Sequence, residues 1–302
     1  MLLRGRSESD ELKTLRILNM RMELKEKDKF HYWNLEKGYE GEVKFDLLAE
    51  KLQEERYILN DLLLEVNGSF FQIDTLIISQ RIIHLIDVKN YEGDYYLEDD
   101  NLFKVSSKNE YKNPVIQLKR SESLLRQLLQ KLKFNYPVEA YVVFINPEFT
   151  LFQAPMDLPI VLPTQVNRFM EKINKIPTKL NEEHKRLAHL ILSLHHTKNP
   201  FTILPPYDYD QLQKGIFSVS CQSFLVSIEN NYLVCGKCGG HEKIESAILR
   251  SVEEFKLLFP DRKVTTESIF DWCNIDISKK RIRRILKRNY LSYGKNNNTY
   301  YK

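Results

Sequence analysis

Apolar positions change period along this chain, and each change marks a predicted element. Leu12, Leu15 and Leu18 recur every three residues in a Leu-, Met-, Glu- and Lys-rich stretch over 11–29. That spacing predicts an amphipathic helix packed on the next part of the chain. After Gly38 the pattern predicts a second helix over 39–53. Two continuous apolar runs come next, FFQIDTLIIS over 70–79 and RIIHLIDVKN over 81–90. The short polar break between them predicts a hairpin of two central strands. Asn113 and Pro114 suit the N-cap and first position of a further helix, where the missing proline N–H costs nothing. Leu118, Leu125, Leu128, Leu129 and Leu132 give that helix its stripe. The run VEAYVVFIN over 138–146 reads as a buried strand, parallel to its neighbour because a long helix precedes it.

Two helices are predicted over 165–176 and 181–196, before the turn-prone Asn199-Pro200 and Leu204-Pro205-Pro206. Short β-prone segments bounded by cysteines, over 218–243, suggest a metal ribbon. Ile244, Ile248, Val252, Phe255 and Phe259 then mark a helix stopped by Pro260. Thr265 and Thr266 can cap a short second helix, and Ser278 a third, KKRIRRILKRN. Two Tyr-rich segments around a Gly/Asn turn close the chain. The expected fold class is α/β: a mixed sheet flanked by helices, then a small zinc-ribbon-like β module and a winged helix-turn-helix. The expected division is an N-terminal helical segment 1–36, an α/β domain 37–150, a helical connector 151–209, the ribbon 210–241 and the winged-helix-like tail 242–302.

Composition sharpens this in one respect. The 302 residues are 42% apolar and 28% charged, as in a folded protein of about two domains with room for a small third. The formal charge of +4 is an average over unlike parts. Residues 242–302 hold 14 Lys+Arg against 8 Asp+Glu, and the rest 31 against 33. A near-neutral body with a basic tail points to a polyanionic partner. No apolar run approaches the length of a membrane span, and MLLRGRSESDELK is too polar for a secretory segment, so the expected location is cytoplasmic, with no membrane partner. In a reducing compartment the Cys235-x2-Cys238 spacing favours metal over a disulfide.

Candidate chemistry sits in the two central strands. Asp87 and Lys89 are two apart, so their side chains leave one face of the sheet. Asp74 interrupts the neighbouring apolar run, and Glu42 falls on the helix face shared by Phe45, Ala49 and Leu52. Buried charges need partners or a metal. Carboxylate oxygens suit Mg²⁺ or Mn²⁺, and phosphate can complete the shell. The alternative reading is a buried Asp87–Lys89 ion pair with Asp74 capping a turn.

The ordered set Gly38-x2-Gly41-Glu42, Gln72-Ile73-Asp74, Asp87-Val88-Lys89-Asn90-Tyr91-x-Gly93 and Asn113-Pro114-x2-Gln117 resembles the nuclease-related domain called NERD. That domain is a branch of the PD-(D/E)xK nuclease superfamily, and the resemblance spans about residues 37–150. It implies a restriction-endonuclease-like sheet. It further implies Asp74 and Asp87 as metal ligands, Lys89 as water-positioning base, Glu42 as accessory metal or water ligand and Gln117 as a helper. The motif acid is Asp87 where this branch usually has Glu, and Thr75 stands where His is common.

In the ribbon, Cys235 and Cys238 supply two zinc ligands and Cys221 a third. The partner of Cys221 in a four-cysteine ribbon would lie at Ser218, and His241 offers a fourth ligand instead. The alternative is a metal-free remnant. In the tail, Lys279, Lys280, Arg281, Arg283, Arg284, Lys287 and Arg288 surround an apolar stripe of Ile282, Ile285 and Leu286. That is the layout of a recognition helix on DNA, with a solvated surface helix as the alternative. Lys295 and Asn296 to Asn298 are expected at the hairpin tip, within reach of the backbone or minor groove. Together these features read as a Mg²⁺- or Mn²⁺-dependent DNA nuclease with one structural Zn²⁺. RNA stays open as substrate, a non-catalytic DNA-binding regulator is the competing class, and no feature assigns an oligomeric state.

Overall fold

The computed structural model describes residues 1–53, 55–176, 179–224, 226–294 and 298–302. The chain opens with β1 (Leu2–Arg4), α1 (Asp10–Arg21), α2 (Glu26–Ala49), β2 (Tyr57–Val66), β3 (Ser69–Ile78) and β4 (Ile83–Lys89). It continues with β5 (Gly93–Glu98), β6 (Asn101–Lys104), β7 (Glu110–Tyr111), α3 (Pro114–Lys131), β8 (Val138–Phe144), β9 (Phe149–Phe152), β10 (Ile160–Val161), α4 (Val166–Asn174) and α5 (Glu182–Ser193). Last come β11 (Val226–Glu229), β12 (Tyr232–Cys235), β13 (His241–Lys243), α6 (Ile244–Leu258), α7 (Thr266–Cys273), α8 (Lys279–Asn289), β14 (Ser292–Tyr293) and β15 (Tyr300–Tyr301). They form two compact units, each discontinuous in sequence: Met1–Glu8 with Trp33–Thr202, and Ser9–Tyr32 with Ile203–Lys302.

The first unit is built on a mixed sheet ordered β1-β2-β3-β4-β8-β10. β2, β3 and β4 are antiparallel to one another, and β4 and β8 run parallel. Asn67 and Gly68 both adopt positive φ between Val66 and Ser69, the two-residue turn whose twist suits a hairpin. A second sheet, β7-β6-β5-β9, lies within the same unit. α3 and α5 bury Leu118, Leu125, Leu128, Leu187 and Ile191 with one set of strand residues. α2 and α4 bury Phe45, Ala49, Phe169 and Ile173 with Ile58, Ile77, Ile86 and Val143. The sheet is thus covered on both faces, which is why its central strands read as continuous apolar runs.

α3 begins as predicted: the Asn113 side chain accepts from the Val115 N–H at 2.9 Å, with Pro114 in the first turn. The helix expected over 11–29 is instead two, because the chain turns extended at Met22. α2 then runs unbroken through Gly38, where a helix-interior glycine costs only about 1 kcal/mol. Strand β2, β1 and the whole second sheet were not predicted.

In the second unit, α1 buries Ile17 and Leu18 with α6, α7 and α8 around Trp272. Arg21 is fully buried there, bonded to Glu254 Oε2 at 2.7 Å and to the Gln213 carbonyl at 2.7 Å, with its guanidinium 4.0 Å from the Trp272 ring centroid. β11, β12 and β13 form an antiparallel sheet, and β14 pairs with β15. Lys295, Asn296 and Asn297 lie outside the described residues. Among the described residues no helix is long and apolar enough to cross a membrane.

Candidate active site and metal centre

Asp74 lies on β3 and Asp87 on β4, both buried. Thr75 faces Ile86 in the antiparallel register, so Asp74 and Asp87 occupy the next opposed positions. The Asp74 Oδ2 atom accepts the Val88 N–H at 2.7 Å, which ties that carboxylate to the neighbouring backbone. Lys89 Nζ lies 3.0 Å from Asp87 Oδ1 and 2.9 Å from Oδ2. Its hydrogen-bond geometry is satisfied at Oδ1, and the buried Oδ2 has no aligned donor. Burial pushes the Asp87 carboxyl up to about 6, with Lys89 opposing and Asp74 adding to the rise. Burial disfavours the Lys89 ammonium as well, yet Asp87 and Asp74 outweigh it and hold that amine protonated.

The apolar rhythm shifts phase at this point. Phe71 and Ile73, then Leu76 and Ile78, join the same core, so the alternation slips at Asp74–Thr75. On β2 the same slip separates Leu62 from Leu59, at Asp61 with φ 53°. The Asp61 carboxylate is bonded to Gln72 at 3.4 Å and ion-paired with Arg4 at 3.6 Å. A strand that exposed one uniform face would not place acids here.

Glu42 reaches the site from α2. Gly41 allows this approach: a Cβ there would lie 2.5 Å from Asn90 Cβ and 3.2 Å from Ile145 Cγ2, whereas one at Gly38 would meet nothing within 4 Å. Asn90 Nδ2 donates to the Lys37 carbonyl at 2.7 Å and docks the same helix. Gly41→Ala is therefore expected to lose about 1–3 kcal/mol by overpacking. Gly38→Ala should gain up to about 1 kcal/mol from helix propensity. Urea melts of the two variants check the contrast.

Arg6 is the group that sequence reasoning missed. Its guanidinium donates to Glu42 Oε2 at 2.6 Å, to Asp46 at 2.9 and 3.1 Å, to the Asp74 carbonyl at 2.7 Å and to Thr75 Oγ1 at 3.3 Å. Burial and then Asp74 push the Glu42 carboxyl up to about 8, against the pull of Arg6. Asp46, one helical turn beyond Glu42 on the same face, was legible from spacing alone. Gln117 lies exposed in the first turn of α3, and no hydrogen bond or ion pair among the described residues joins it to the acids.

These residues fit a hard divalent cation at Asp74 and Asp87. Mg²⁺ commonly takes one or two carboxylates, water and substrate phosphate, and Asp87 Oδ2 is a buried anionic oxygen without an aligned donor. Among the described residues, the group of three His, Cys, Asp or Glu side chains whose ligand atoms all lie within 4.8 Å is Cys221, Cys235 and Cys238. That thiol cluster could hold a metal ion. His241 lies outside it, exposed on β13 opposite Val234.

On α8, Ile282, Ile285 and Leu286 are buried as predicted. Among the described residues, three of the seven cations have partners: Lys279 with Glu267 at 2.6 Å, Arg281 with Asn231 at 2.8 Å and Arg288 with Glu245 at 3.6 Å. Lys280, Arg283, Arg284 and Lys287 are exposed and have no acidic partner among the described residues. Their spacing of i, i+3, i+4 and i+7 makes one face of the helix.

Comparison with curated proteins and comparison with solved structures each give no match. A scan against protein-family models matches the nuclease-related domain over residues 37–145. The match covers Glu42, Asp74, Asp87, Lys89 and Gln117, and it points to a nuclease-related function, with divalent-metal use and nucleic-acid binding. With its acids and lysine on the central strands of a mixed, helix-flanked sheet, the segment 37–145 of this chain matches the nuclease-related domain, NERD.

Proposed function

We propose that the protein is a Mg²⁺- or Mn²⁺-dependent nuclease that hydrolyses phosphodiester bonds in DNA, with α8 of a winged-helix-like region as its grip on the duplex. The observation that carries this reading is the Asp74, Asp87 and Lys89 set on adjacent central strands within the family-matched segment. Asp74 and Asp87 would hold the cation, which when bound neutralises phosphodiester charge and activates water. Lys89, kept as an ammonium beside Asp87, donates toward a phosphate oxygen and orients the attacking water. Glu42, a carboxyl that gains its proton readily near neutral pH, can exchange one there. Arg6 fixes Glu42 Oε2 and so sets where that proton resides. Gln117 would act as a helper from α3, and the four open cations of α8 meet DNA phosphates.

One observation favours a second reading. Arg6 already engages Glu42 and Asp46, which suits a domain that keeps the fold and binds DNA without cutting it. Incubation of the full chain with linear DNA, supercoiled DNA and RNA, in Mg²⁺, Mn²⁺ or EDTA, separates the readings. Cleavage of DNA that EDTA abolishes is the expected result, and intact DNA in all conditions supports the second. Binding also has a thermal readout: Mn²⁺ at 100 times its Kd should stabilise the parent by about 2.7 kcal/mol. Asp87→Asn should lose most of that shift.

A further inference from the structure

Ser218 and Cys221 stand at the same spacing as Cys235 and Cys238. Their two turns share a backbone form. The Gln222 N–H donates to the Ser218 carbonyl at 2.8 Å, and the Gly239 N–H donates to the Cys235 carbonyl at 2.9 Å. The first turn therefore presents a hydroxyl at its first position and a thiol at its fourth, and the second turn a thiol at both. The side chains meet: Cys221 Sγ lies 3.5 Å from Cys235 Sγ, and Ser218 Oγ lies 3.5 Å from Cys238 Sγ. The Sγ atoms of Cys221, Cys235 and Cys238 all lie within 4.8 Å of one another.

These two lengths are close to the edges of a coordination tetrahedron. With Zn–S near 2.3 Å and Zn–O near 2.1 Å, a tetrahedral site spaces its sulfurs roughly 3.8 Å apart and sets its oxygen roughly 3.6 Å from each sulfur. We propose that this protein binds one structural Zn²⁺ between the two turns, on the thiolates of Cys221, Cys235 and Cys238, with the Ser218 hydroxyl oxygen as the fourth ligand. Ser218 is buried, as an inward ligand requires, whereas His241 is exposed with its ring centroid 6.4 Å from that of Tyr232. The Lys237 N–H lies 3.4 Å from Cys235 Sγ and donates to it, the support a thiolate ligand needs. On binding, the aqueous Zn²⁺ sheds its water ligands, the thiol protons leave to solvent, and three Zn–S bonds and one Zn–O bond form. A hydroxyl oxygen suits zinc less well than a thiolate, so this site holds its ion less tightly than a four-cysteine ribbon does.

The zinc site stands independently of the nuclease reading. Its test uses the full chain loaded with Zn²⁺ or Co²⁺, with metal content by mass spectrometry, affinity by competition with a chromophoric chelator, and thiolate-to-Co²⁺ absorption. The expected results are about one zinc per chain, and a Kd at least about tenfold lower in Ser218→Cys. The Co²⁺ spectrum of Ser218→Cys should gain the absorption of one added thiolate. Ser218→Ala should weaken retention, and His241→Ala should change nothing. Parent protein that retains little zinc and has no Co²⁺–thiolate band would overturn the site. Loss of zinc in His241→Ala with full retention in Ser218→Ala would overturn the assignment of the fourth ligand.

Discussion

Lys89→Ala protein is expected to cut DNA at least about 10²-fold more slowly than the parent, the usual loss when one preorganised donor to a developing anion is removed. The cause is electrostatic. Lys89 is the cation 2.9 Å from Asp87, in a region where burial raises the cost of every unpaired charge. Without it, two opposed acids face each other with less compensation. The metal-free variant also loses stability, by up to about 3–5 kcal/mol, because a buried charge is left behind. A melt must therefore accompany each rate. The pH dependence carries a sign that a simple folding defect would not. Asp87 already has its folded-state pKa raised to about 6, so the stability linked to its protonation is present at low pH and lost as pH rises through that value. Removing Lys89 raises that pKa further. The Tm of metal-free Lys89→Ala should accordingly recover more than that of the parent as pH falls from about 7 to 5. Asp87→Asn removes the carboxylate charge at similar volume and should lose the same cutting activity without that recovery. Lys37→Ala, which breaks an exposed pair with Glu92 in the same unit, should keep the parent rate. Lys89→Ala and Asp87→Asn proteins that cut DNA as fast as the parent would remove the nuclease reading.

How much of this was legible depended on whether the signal was local. Asp74 and Asp87 stood out because a charge inside an apolar strand run is costly, and the polar break between the runs gave their strands as a hairpin. Asn113-Pro114 and the leucine stripe gave α3 and, with it, the parallel placement of β8 beside β4. β2 was missed although Asn67-Gly68 is a strong hairpin signal, because Tyr57–Val66 is apolar on both faces and slips phase at Asp61. Gly38 suggests a helix boundary, but a glycine with open space around it does not end a helix. Arg6 gave no local sign at all. Its partners lie 36 to 69 positions away, and its value comes from a guanidinium that satisfies Glu42, Asp46 and Thr75 together. Thr75 gains a role by the same contact: where the resemblance expects a histidine, its hydroxyl accepts from Arg6.

Replacing Lys280, Arg283, Arg284 and Lys287 together by alanine is expected to weaken duplex DNA binding by at least about 100-fold at low salt. The same change should reduce the magnitude of the salt slope by about 3 to 4, since each neutralised phosphate contributes roughly 0.9. Sequence alone offered seven cations around α8, and pairing decides among them. Lys279, Arg281 and Arg288 are held by Glu267, Asn231 and Glu245, so their donors are partly spent on the protein. The other four share one exposed face with no acidic partner among the described residues, and Ile282, Ile285 and Leu286 hold the opposite face in the core. Alanine at Lys279, Arg281 and Arg288 should consequently change the slope by less than about 1. It should cost little stability, because exposed pairs contribute at most about 1 kcal/mol each. Both variants lose several positive charges, so a field set only by net charge would weaken them alike. A strong preference for the four-residue face is what distinguishes a docking surface from a generally basic tail. Equal effects in the two variants, or a salt slope unchanged in the first, would show that α8 is a solvated helix. Because phosphates carry no sequence information, the loss in the four-alanine variant should be nearly the same for every duplex tested.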